Sequence, residues 1–305
     1  MDWLTRMNAA LAYVEDNLTD EIHYETLAKI ACCSSHNFFR MFSFITEVSL
    51  SEYIRRRRLT LAALELQNSD MKIVDLAGKF GYDSPVSFSR AFQALHGITP
   101  SEARTGGVTL KAYPRLSFQI SIKGEKEMDY RIESKEAFQV FGRERVVKSE
   151  EETVIDAEIE LIDVNLSGSW DDCDNKAAYE KLKEDAGDLP NFVNKNLGKV
   201  NDIFGYRETE SDDTFPYMMF AFRGSNSKVD GYTVADIPAH TWAIFPSGFE
   251  KNGYDTAIVS LYKRICSEWL PTSNYEPVSS LEIELHGADG ESGYMEVWLP
   301  VKKKS

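Results

Sequence analysis

Residues 81–102 have the sequence GYDSPVSFSRAFQALHGITPSE, and this stretch decides the fold of the N-terminal third of the chain. Gly81 stands where a helix would end in a left-handed turn, and Ser84 before a proline is typical of a helix start. Phe88 and Phe92 recur at the spacing of one helix face, and a glycine and a proline close the segment. An apolar helical pattern also precedes Gly81, so the stretch predicts a helix, a tight turn and a second helix.

The same pattern occurs once more, earlier in the chain. Leu27 matches Leu76 at an offset of 49, and Phe38 matches Phe88 at an offset of 50. Self-similarity of this kind indicates duplicated structural modules, and two copies are too few for a repeat array. The N-terminal third therefore carries two predicted helix-turn-helix modules.

The second helix of each module has an outward face suited to reading DNA bases. Two phenylalanines of each helix lie on the inward face, and an arginine lies on the outward face of both helices: Arg40 in the first and Arg90 in the second. Arginine can bond two acceptors of guanine, and amide, hydroxyl and apolar groups can contact other bases. The predicted DNA-contacting residues are His36, Asn37, Phe39, Arg40, Val86, Ser87, Ser89 and Arg90. The alternative is a pair of solvated helix faces.

Four consecutive arginines, Arg55–Arg58, lie on the first half of a long helix predicted over residues 51–67. Positive side chains here predict contacts with DNA phosphates, which make affinity depend on salt. We assign this role to Arg55 and Arg58. The alternative is a solvated basic face that pairs with three nearby glutamates, Glu47, Glu52 and Glu65.

On these motifs, residues 8–104 resemble the DNA-binding domain of the AraC/XylS family of bacterial transcription regulators. The family pattern joins a Gly-Phe/Tyr turn, a Phe-x-Arg-x-Phe helix and a Gly-x-x-Pro ending, and residues 81–100 match it. The resemblance implies two recognition helices that enter successive major grooves of bent DNA. The first module departs from the pattern: Cys32-Cys33 replaces the usual Gly or Asn turn, and Glu47-Val48 stands where glycine is usual.

Charge is unevenly distributed along the chain. The net charge is −15, but residues 1–107 contribute only −2, and residues 108–305 contribute −13. The acidic total argues against nucleic-acid binding by the whole chain, whereas the near-neutral N-terminal part with its arginine run is compatible with DNA. A Thr-Gly-Gly stretch then marks a boundary. We predict a DNA-binding domain at 1–107, a linker at 108–128 and a second domain at 129–305.

The C-terminal two-thirds has the pattern of a mixed domain. Alternating segments predict strands at 116–122, 138–141, 217–222, 242–245, 281–285 and 295–299, and helical spacing appears at 175–185 and 254–269. Similar segments begin at Tyr130 and Tyr232, an offset of 102. The predicted fold class is multi-domain: an all-α N-terminal domain with two helix-turn-helix modules, and an α+β C-terminal domain of two similar halves.

Glu284 is the candidate ligand-binding residue of this second domain. It lies between Ile283 and Leu285 on a predicted strand, in a region rich in tyrosine and tryptophan. A carboxylate in an aromatic cavity attracts organic cations through charge and cation–π contact. Nucleophile, P-loop, zinc-protease and dinucleotide motifs are absent from the sequence, and its four cysteines lack CxxC spacing. We therefore predict reduced thiols and no catalytic residues, metal or cofactor.

Residues 129–305 also resemble GyrI-like effector-binding domains, through four stretches: Ile237–Phe245, Glu268–Glu276, Leu281–Glu284 and Met295–Lys302. The resemblance implies two similar halves with a ligand cleft between them, in which Glu284 is the pocket glutamate and Tyr217 a pocket tyrosine. Trp242 and Trp298 complete the predicted effector-binding set. Some members of this family bind cationic or amphipathic drugs, and others hydrolyse reactive small molecules.

Together these features predict a one-component transcription regulator that is not an enzyme. Its predicted partners are double-stranded promoter or operator DNA and a small cationic or aromatic effector, with RNA polymerase as a further candidate. Two alternatives stay open for the C-terminal domain: a hydrolase of a reactive small molecule fused to an autoregulatory DNA-binding domain, and a protein-interaction module. The longest uncharged run, Ile237–Phe249, has 13 residues and cannot cross a bilayer. The N-terminus lacks a signal peptide, so we expect a cytoplasmic protein without a membrane partner.

Overall fold

The computed structural model describes residues 3–31, 33, 35–105, 107–119, 127–148, 173–209, 214–250, 253–289 and 292–304. They form two compact units: a helical unit of Met1–Ala31 with Ser49–Gln119, and a sheet unit of Cys32–Val48 with Ile120–Ser305. Two segments group differently from the sequence-based division. Residues 32–48 of the first module group with the sheet unit, and residues 108–119 of the expected linker group with the helical unit.

The helical unit contains six described helices: α1 (Trp3–Asp16), α2 (Tyr24–Ala31), α4 (Leu50–Asn68), α5 (Ile73–Lys79), α6 (Pro85–His96) and α7 (Pro100–Ala103). The remaining helix of this part of the chain, α3 (Ser35–Thr46), belongs to the sheet unit. The predicted helical character of the N-terminal region is confirmed.

The second module follows its sequence signals closely. The Ser84 hydroxyl accepts a hydrogen bond from the Ser87 amide at 3.1 Å, and Pro85 is the first residue of α6. Gly81 and Gly97 have φ of 78° and 79°, the left-handed conformation that glycine adopts without strain. The inward side chains of α4, α5 and α6 form one apolar core that includes Leu59, Leu66, Leu76, Phe80, Phe88 and Phe92. This arrangement is the expected helix-turn-helix.

Residues 116–119 of the strand expected at 116–122 form no strand, and the remaining three lie outside the described residues. The backbone of Phe118 is bonded instead by a side chain: its amide donates to Asn8 Oδ1 at 2.8 Å, and its carbonyl accepts from Asn8 Nδ2 at 2.9 Å. These two bonds replace a sheet ladder, which alternation alone could not reveal.

The sheet unit is built on antiparallel strands: β1 (Arg131–Lys135), β2 (Phe138–Lys148), β3 (Asn201–Phe204), β4 (Thr214–Phe222), β5 (Thr233–Ile237), β6 (His240–Glu250), β7 (Tyr275–Pro277), β8 (Glu282–Asp289) and β9 (Ser292–Lys303). The order across the sheet is β1-β6-β9-β8-β3-β4-β2-β5, and β7 pairs with β9. An antiparallel sheet domain is therefore confirmed, and its two central strands are β3 and β8.

The strand order is symmetric in a way that bears on the expected halves. The offset of 102 relates β1 to β5 and β2 to β6. If β3 and β4 are likewise matched to β8 and β9, each strand can be exchanged for its match. The result is the same strand order, read from the opposite edge of the sheet. Two similar halves would give this topology, and their similarity stays a prediction.

The two faces of the sheet carry different apolar clusters. One face bears Ile203, Trp242, Ile283 and Trp298 among others. The other bears Phe204 and Tyr217, which pack with Leu182 of α8 (Cys173–Asp185). Helix α9 (Tyr254–Arg264) continues through a π-helical turn (Ile265–Trp269) into α10 (Leu270–Thr272). The expected helices at 175–185 and 254–269 are thus present.

Helix α3 packs on α9 and on the π-helical turn that follows it. The Phe44 ring stacks on Tyr262 with centroids 4.8 Å apart and an interplanar angle of 11°. Glu47 ends the helix with φ of 59°, taking the left-handed conformation at the position where the resembling family has glycine. Its carboxylate pairs with Lys263 of α9.

Candidate functional site

Two buried carboxylates lie on one face of the central strand β8. Side chains alternate along a strand, so Glu282 and Glu284 share a face, while Ile283 and Leu285 point into the apolar cluster on the other. Asp202 of β3 lies opposite Glu284 in the strand register. Both glutamates are buried. Buried carboxylates need a compensating charge or hydrogen bonds, so this face calls for a cation.

Arg40 of α3 supplies that cation. Its Nη1 lies 3.1 Å from Glu282 Oε2, and its Nη2 lies 2.8 Å from Glu284 Oε1. Arg40 is only 7% exposed. One guanidinium therefore bridges two carboxylates out of contact with bulk water, a pairing that planar arginine suits better than lysine.

Aromatic rings enclose the same guanidinium. Its central carbon lies 4.5 Å from the ring centre of Phe204, 4.8 Å from that of Tyr262 and 5.5 Å from that of Phe44. Rings at this distance attract a cation through their quadrupole. Carboxylates and rings together form a cation site, which we call the cage: Glu282, Glu284, Phe204 and Tyr262.

Tyrosine hydroxyls stabilise the carboxylates of this face. Tyr262 donates to Glu282 at 3.2 Å, and Tyr254 donates to Glu284 at 3.5 Å. Tyr217 donates to Asp202 at 2.7 Å. Burial, followed by the charges of Glu282 and Glu284, holds the pKa of Tyr262 well above its ordinary value. Tyr262 is thus protonated at neutral pH and remains a donor.

Titratable groups of this face differ in how burial affects them. Burial raises the pKa of Glu282, and the Glu284 charge adds to the rise, while the Arg40 charge opposes it. Burial lowers the pKa of His286, but the hydrogen bond and charge of Asp202 outweigh that effect and raise it overall. Arg145 adds a further positive charge, with its guanidinium 4.8 Å from the Tyr217 ring centre.

The structure brings together only part of the expected effector set. Glu284 and Tyr217 share a sheet face, and Asp202 lies between them in the hydrogen-bond network. Trp242 and Trp298 are fully buried on the opposite face, with ring centres 5.9 Å apart. Strand register explains the difference, because Trp298 is paired with Ile283 and not with Glu284. The two tryptophans therefore do not share the face of Glu284, and effector binding by them stays a prediction.

Trp298 instead binds a third buried carboxylate, that of Glu296. Its Nε1 donates to Glu296 at 2.7 Å, and Tyr294 donates to the same carboxylate at 2.8 Å. Arg131 Nη2 lies 2.9 Å from both Glu296 oxygens. The negative charge of Glu296 is thus compensated by Arg131 and by two hydrogen bonds on the same face of the sheet.

Helix α6 presents the expected DNA-reading face to solvent. Val86 is 60% exposed, and Ser87 and Arg90 are exposed as well. Ser89 is partly exposed, and its hydroxyl donates back to the Pro85 carbonyl at 2.7 Å. These side chains are accessible to a partner, and their contact with DNA stays a prediction.

Helix α3 does not present the equivalent face. The sequence placed Phe39 and Arg40 outward, whereas Phe39 is 3% exposed and Arg40 lies in the cage. The orientation expected from the helical wheel was therefore wrong in this structure, because the sheet unit supplies partners on that side of the helix. The side chains of His36 and Asn37 lie outside the described part of the structure.

Three arginines of the run have partners within the helical unit. Arg55 pairs with Glu52 at 2.6 Å, and Arg57 pairs with Glu15 at 2.8 Å. Arg58 donates to the carbonyls of Leu18 and Asp20, at 2.8 and 3.0 Å. The structure thus favours the pairing alternative in part, and phosphate contact by Arg55 and Arg58 stays a prediction.

Three further features concern membranes, metals and thiols. Among the described residues, no helix has the length and apolar character needed to span a membrane. The same residues contain no group of three or more His, Cys, Asp and Glu side chains arranged for a metal ion. Cys266 is a buried reduced thiol whose pKa is raised by burial. Cys32 and the side chain of Cys173 lie outside the described residues.

Comparison with known protein families gives two matches that together span most of the chain. A helix-turn-helix domain family matches residues 27–106, and a family described as "Integron-associated effector binding protein" matches residues 131–301. The latter match covers more than half of the chain.

Individual relatives and a solved structure match parts of the chain. The HTH-type transcriptional activator AarP of Providencia stuartii is 38% identical over 91 residues, 30% of this chain and 67% of AarP. Regulatory protein SoxS of Escherichia coli (strain K12) is 36% identical over 94 residues, 31% of this chain and 88% of SoxS. An integron cassette protein from the mobile metagenome of Vibrio cholerae aligns in structure with TM-score 0.35 and 13% identity, over 57% of this chain and 95% of that one.

Proposed function

We propose a function that starts from the family of the chain. The chain belongs to the AraC-type DNA-binding transcription regulators and carries an effector-binding domain of the integron-associated family. It is a regulator and not an enzyme, as its regulator relatives AarP and SoxS indicate. The specific proposal is that the protein binds a promoter sequence and responds to an organic cation held at Glu282 and Glu284. A bacterial promoter-binding protein of this kind would act in the cytoplasm.

The exposed face of α6 supports sequence-specific DNA binding. Arg90 projects to solvent beside Val86 and Ser87, so a cation, an apolar group and a hydroxyl are available to one groove. Such a mixture can distinguish base pairs in the major groove. An operator can be obtained by enrichment of random duplexes on the full chain, and its affinity can be measured by fluorescence anisotropy.

The single observation that carries the effector proposal is the cage. Two buried carboxylates and the rings of Phe204 and Tyr262 surround one guanidinium at cation–π and ion-pair distance. A pocket of this composition selects delocalised organic cations over neutral molecules, because a neutral occupant leaves two buried carboxylates without a positive partner. The proposed effector class is therefore a compact, planar organic cation.

Calorimetry with a matched pair of probes tests this proposal. Because Arg40 occupies the cage, the test uses the full chain with Arg40→Ala. Phenylguanidinium is the probe, and phenylurea is its neutral counterpart of the same shape. We expect phenylguanidinium to bind and phenylurea to bind at least about tenfold more weakly, since charged hydrogen bonds contribute roughly 1.5–3 kcal/mol.

A second substitution checks the position of the site. Adding Glu284→Gln to the Arg40→Ala chain should weaken phenylguanidinium binding, while adding Glu268→Gln, a partly exposed glutamate paired with Arg264, should not. Equal binding of the charged and neutral probes, or binding insensitive to Glu284→Gln, would overturn the proposal.

A further inference from the structure

We infer that Arg40 is an internal ligand of the effector site, so that an effector cation displaces Arg40 and thereby releases recognition helix α3 to bind DNA. This inference rests on the proposed function and adds the means by which its two activities are coupled. The effector class follows from the occupant: a cation that can replace a guanidinium between two carboxylates.

The cage requires a cation whether or not an effector is present. Glu282 and Glu284 are both buried, so water does not screen their negative charges from each other. Two such charges destabilise each other unless a positive group lies between them. Arg40 meets that requirement in this structure, with ion pairs to both carboxylates. An external cation would have to take the same place, so its binding and that of Arg40 exclude each other.

Arg40 is also the first-module equivalent of Arg90, the predicted DNA-contacting arginine of the second module. It corresponds to Arg90 at the repeat offset of 50, and the helix-turn-helix family match over residues 27–106 includes both. Arg90 is exposed on α6, whereas Arg40 is buried on α3. Two equivalent arginines therefore differ in availability, and the difference is caused by the cage.

Other contacts of α3 with the sheet unit reinforce its position. Phe44 stacks on Tyr262, a member of the cage, and the Glu47 carboxylate pairs with Lys263. The Glu47–Lys263 pair is partly exposed and contributes little. Arg40 and Phe44 both contact members of the cage. A cation that takes the place of Arg40 removes both of its ion pairs, which weakens the attachment of α3 at the cage.

The coupling has a definite sign. A state with Arg40 in the cage can bind neither the cation nor DNA through α3, and a state with Arg40 released can bind both. By linkage, the cation strengthens DNA binding and DNA strengthens cation binding by the same factor. The device is an autoinhibitory contact that uses the effector's own recognition site.

Calorimetric titration of the full chain with phenylguanidinium tests the competition directly. Wild type should bind the probe about tenfold or more weakly than Arg40→Ala, because the variant has no internal competitor. Arg90→Ala is the matched control: it removes the equivalent arginine of the second module and should leave probe affinity at the wild-type value. Equal affinity of wild type and Arg40→Ala would overturn the inference and leave the proposed cation site standing.

A second variant guards against misfolding of Arg40→Ala. Phe44→Ala keeps Arg40 and both carboxylates but removes the ring that stacks on Tyr262, so it should also bind phenylguanidinium more tightly than wild type. Unchanged affinity in Phe44→Ala contradicts the internal-ligand role. Absence of probe binding to both folded variants, judged by circular dichroism, would instead overturn the proposed cation site and this inference with it.

Discussion

Arg40 Nη2 lies 2.8 Å from Glu284 Oε1, although the two residues are 244 positions apart in the chain and each was expected to bind a different external partner. Arg40 was expected to contact DNA, and Glu284 was expected to contact the effector. Because the two side chains are paired, the Arg40 guanidinium is not available to DNA and the Glu284 carboxylate is not available to an effector. Substitutions at this contact should therefore change DNA binding as well as effector binding.

Glu284→Gln should raise the DNA affinity of the effector-free chain. The amide keeps the shape of the glutamate but removes half of the negative charge that holds Arg40, so α3 is released more often. We expect a several-fold lower Kd for an enriched operator, measured by fluorescence anisotropy, within the 1–3 kcal/mol typical of allosteric coupling. Glu268→Gln serves as the control. A higher or unchanged Kd in Glu284→Gln would argue that α3 is not restrained by this ion pair.

Arg90→Ala should weaken DNA binding without changing the stability of the fold. Arg90 is exposed on α6, so its truncation leaves the core of the second module intact. Loss of a base-reading arginine typically costs about 1–3 kcal/mol of binding free energy. Anisotropy with the enriched operator measures the loss, and Lys111→Ala, an exposed cation outside both modules, is the control. If both variants bind as wild type does, the α6 face does not read DNA.

The turn of the second module offers a matched pair of glycine substitutions. Gly81 has φ of 78°, a conformation that is strained for a residue with a Cβ, so Gly81→Ala should destabilise the helical unit by about 1–2 kcal/mol. Gly78 lies within α5 with no atom within 4 Å of an added Cβ, so Gly78→Ala should stabilise it by roughly 0.5–1 kcal/mol. Urea unfolding measures both, and effects of the same sign would contradict the backbone geometry given for this turn.

Two histidines should give the sheet unit opposite pH dependences. Asp202 raises the pKa of His286 above 6.5 in the folded chain, so this contribution is present below pH 6.5 and is lost as pH rises through the folded pKa. Burial lowers the pKa of His240 below 6.5, so its contribution is present above pH 6.5 and is lost as pH falls.

Urea unfolding at about pH 6 and about pH 8 separates these two effects. His286→Gln should reduce the loss of stability on going to the higher pH, whereas His240→Gln should reduce the loss on going to the lower pH. If His286→Gln leaves the difference between the two pH values unchanged, Asp202 does not hold a proton on His286.

Local sequence signals were sufficient for the second module and insufficient for the first. The caps of α6 and its alternation of Phe88 and Phe92 with Ser89 and Arg90 specify a helix with one buried face. Helix α3 has a different composition, SHNFFRMFSFIT, with aromatic or aliphatic residues on most sides. Such a helix is typically buried on more than one face, and this is the signal that the helical wheel analysis missed.

The residues of the cage come from separate strands and a helix, and the sequence does not show which strands pair or in what register. Alternation on β8 places Glu282 beside Glu284, and this could have been predicted from the strand alone. Phe204 and Tyr262 come from β3 and α9, and Arg40 from another part of the chain, so their meeting depends on tertiary packing. The same reason explains why Trp298 lies on the opposite face.

The dual role of Arg40 is tested most directly by the DNA affinity of the unmodified chain with and without a cation. We expect saturating phenylguanidinium to lower the Kd for the enriched operator by about tenfold, and the neutral phenylurea to leave it unchanged. An unchanged or higher Kd under conditions where calorimetry shows phenylguanidinium bound would contradict the release of α3 by an effector.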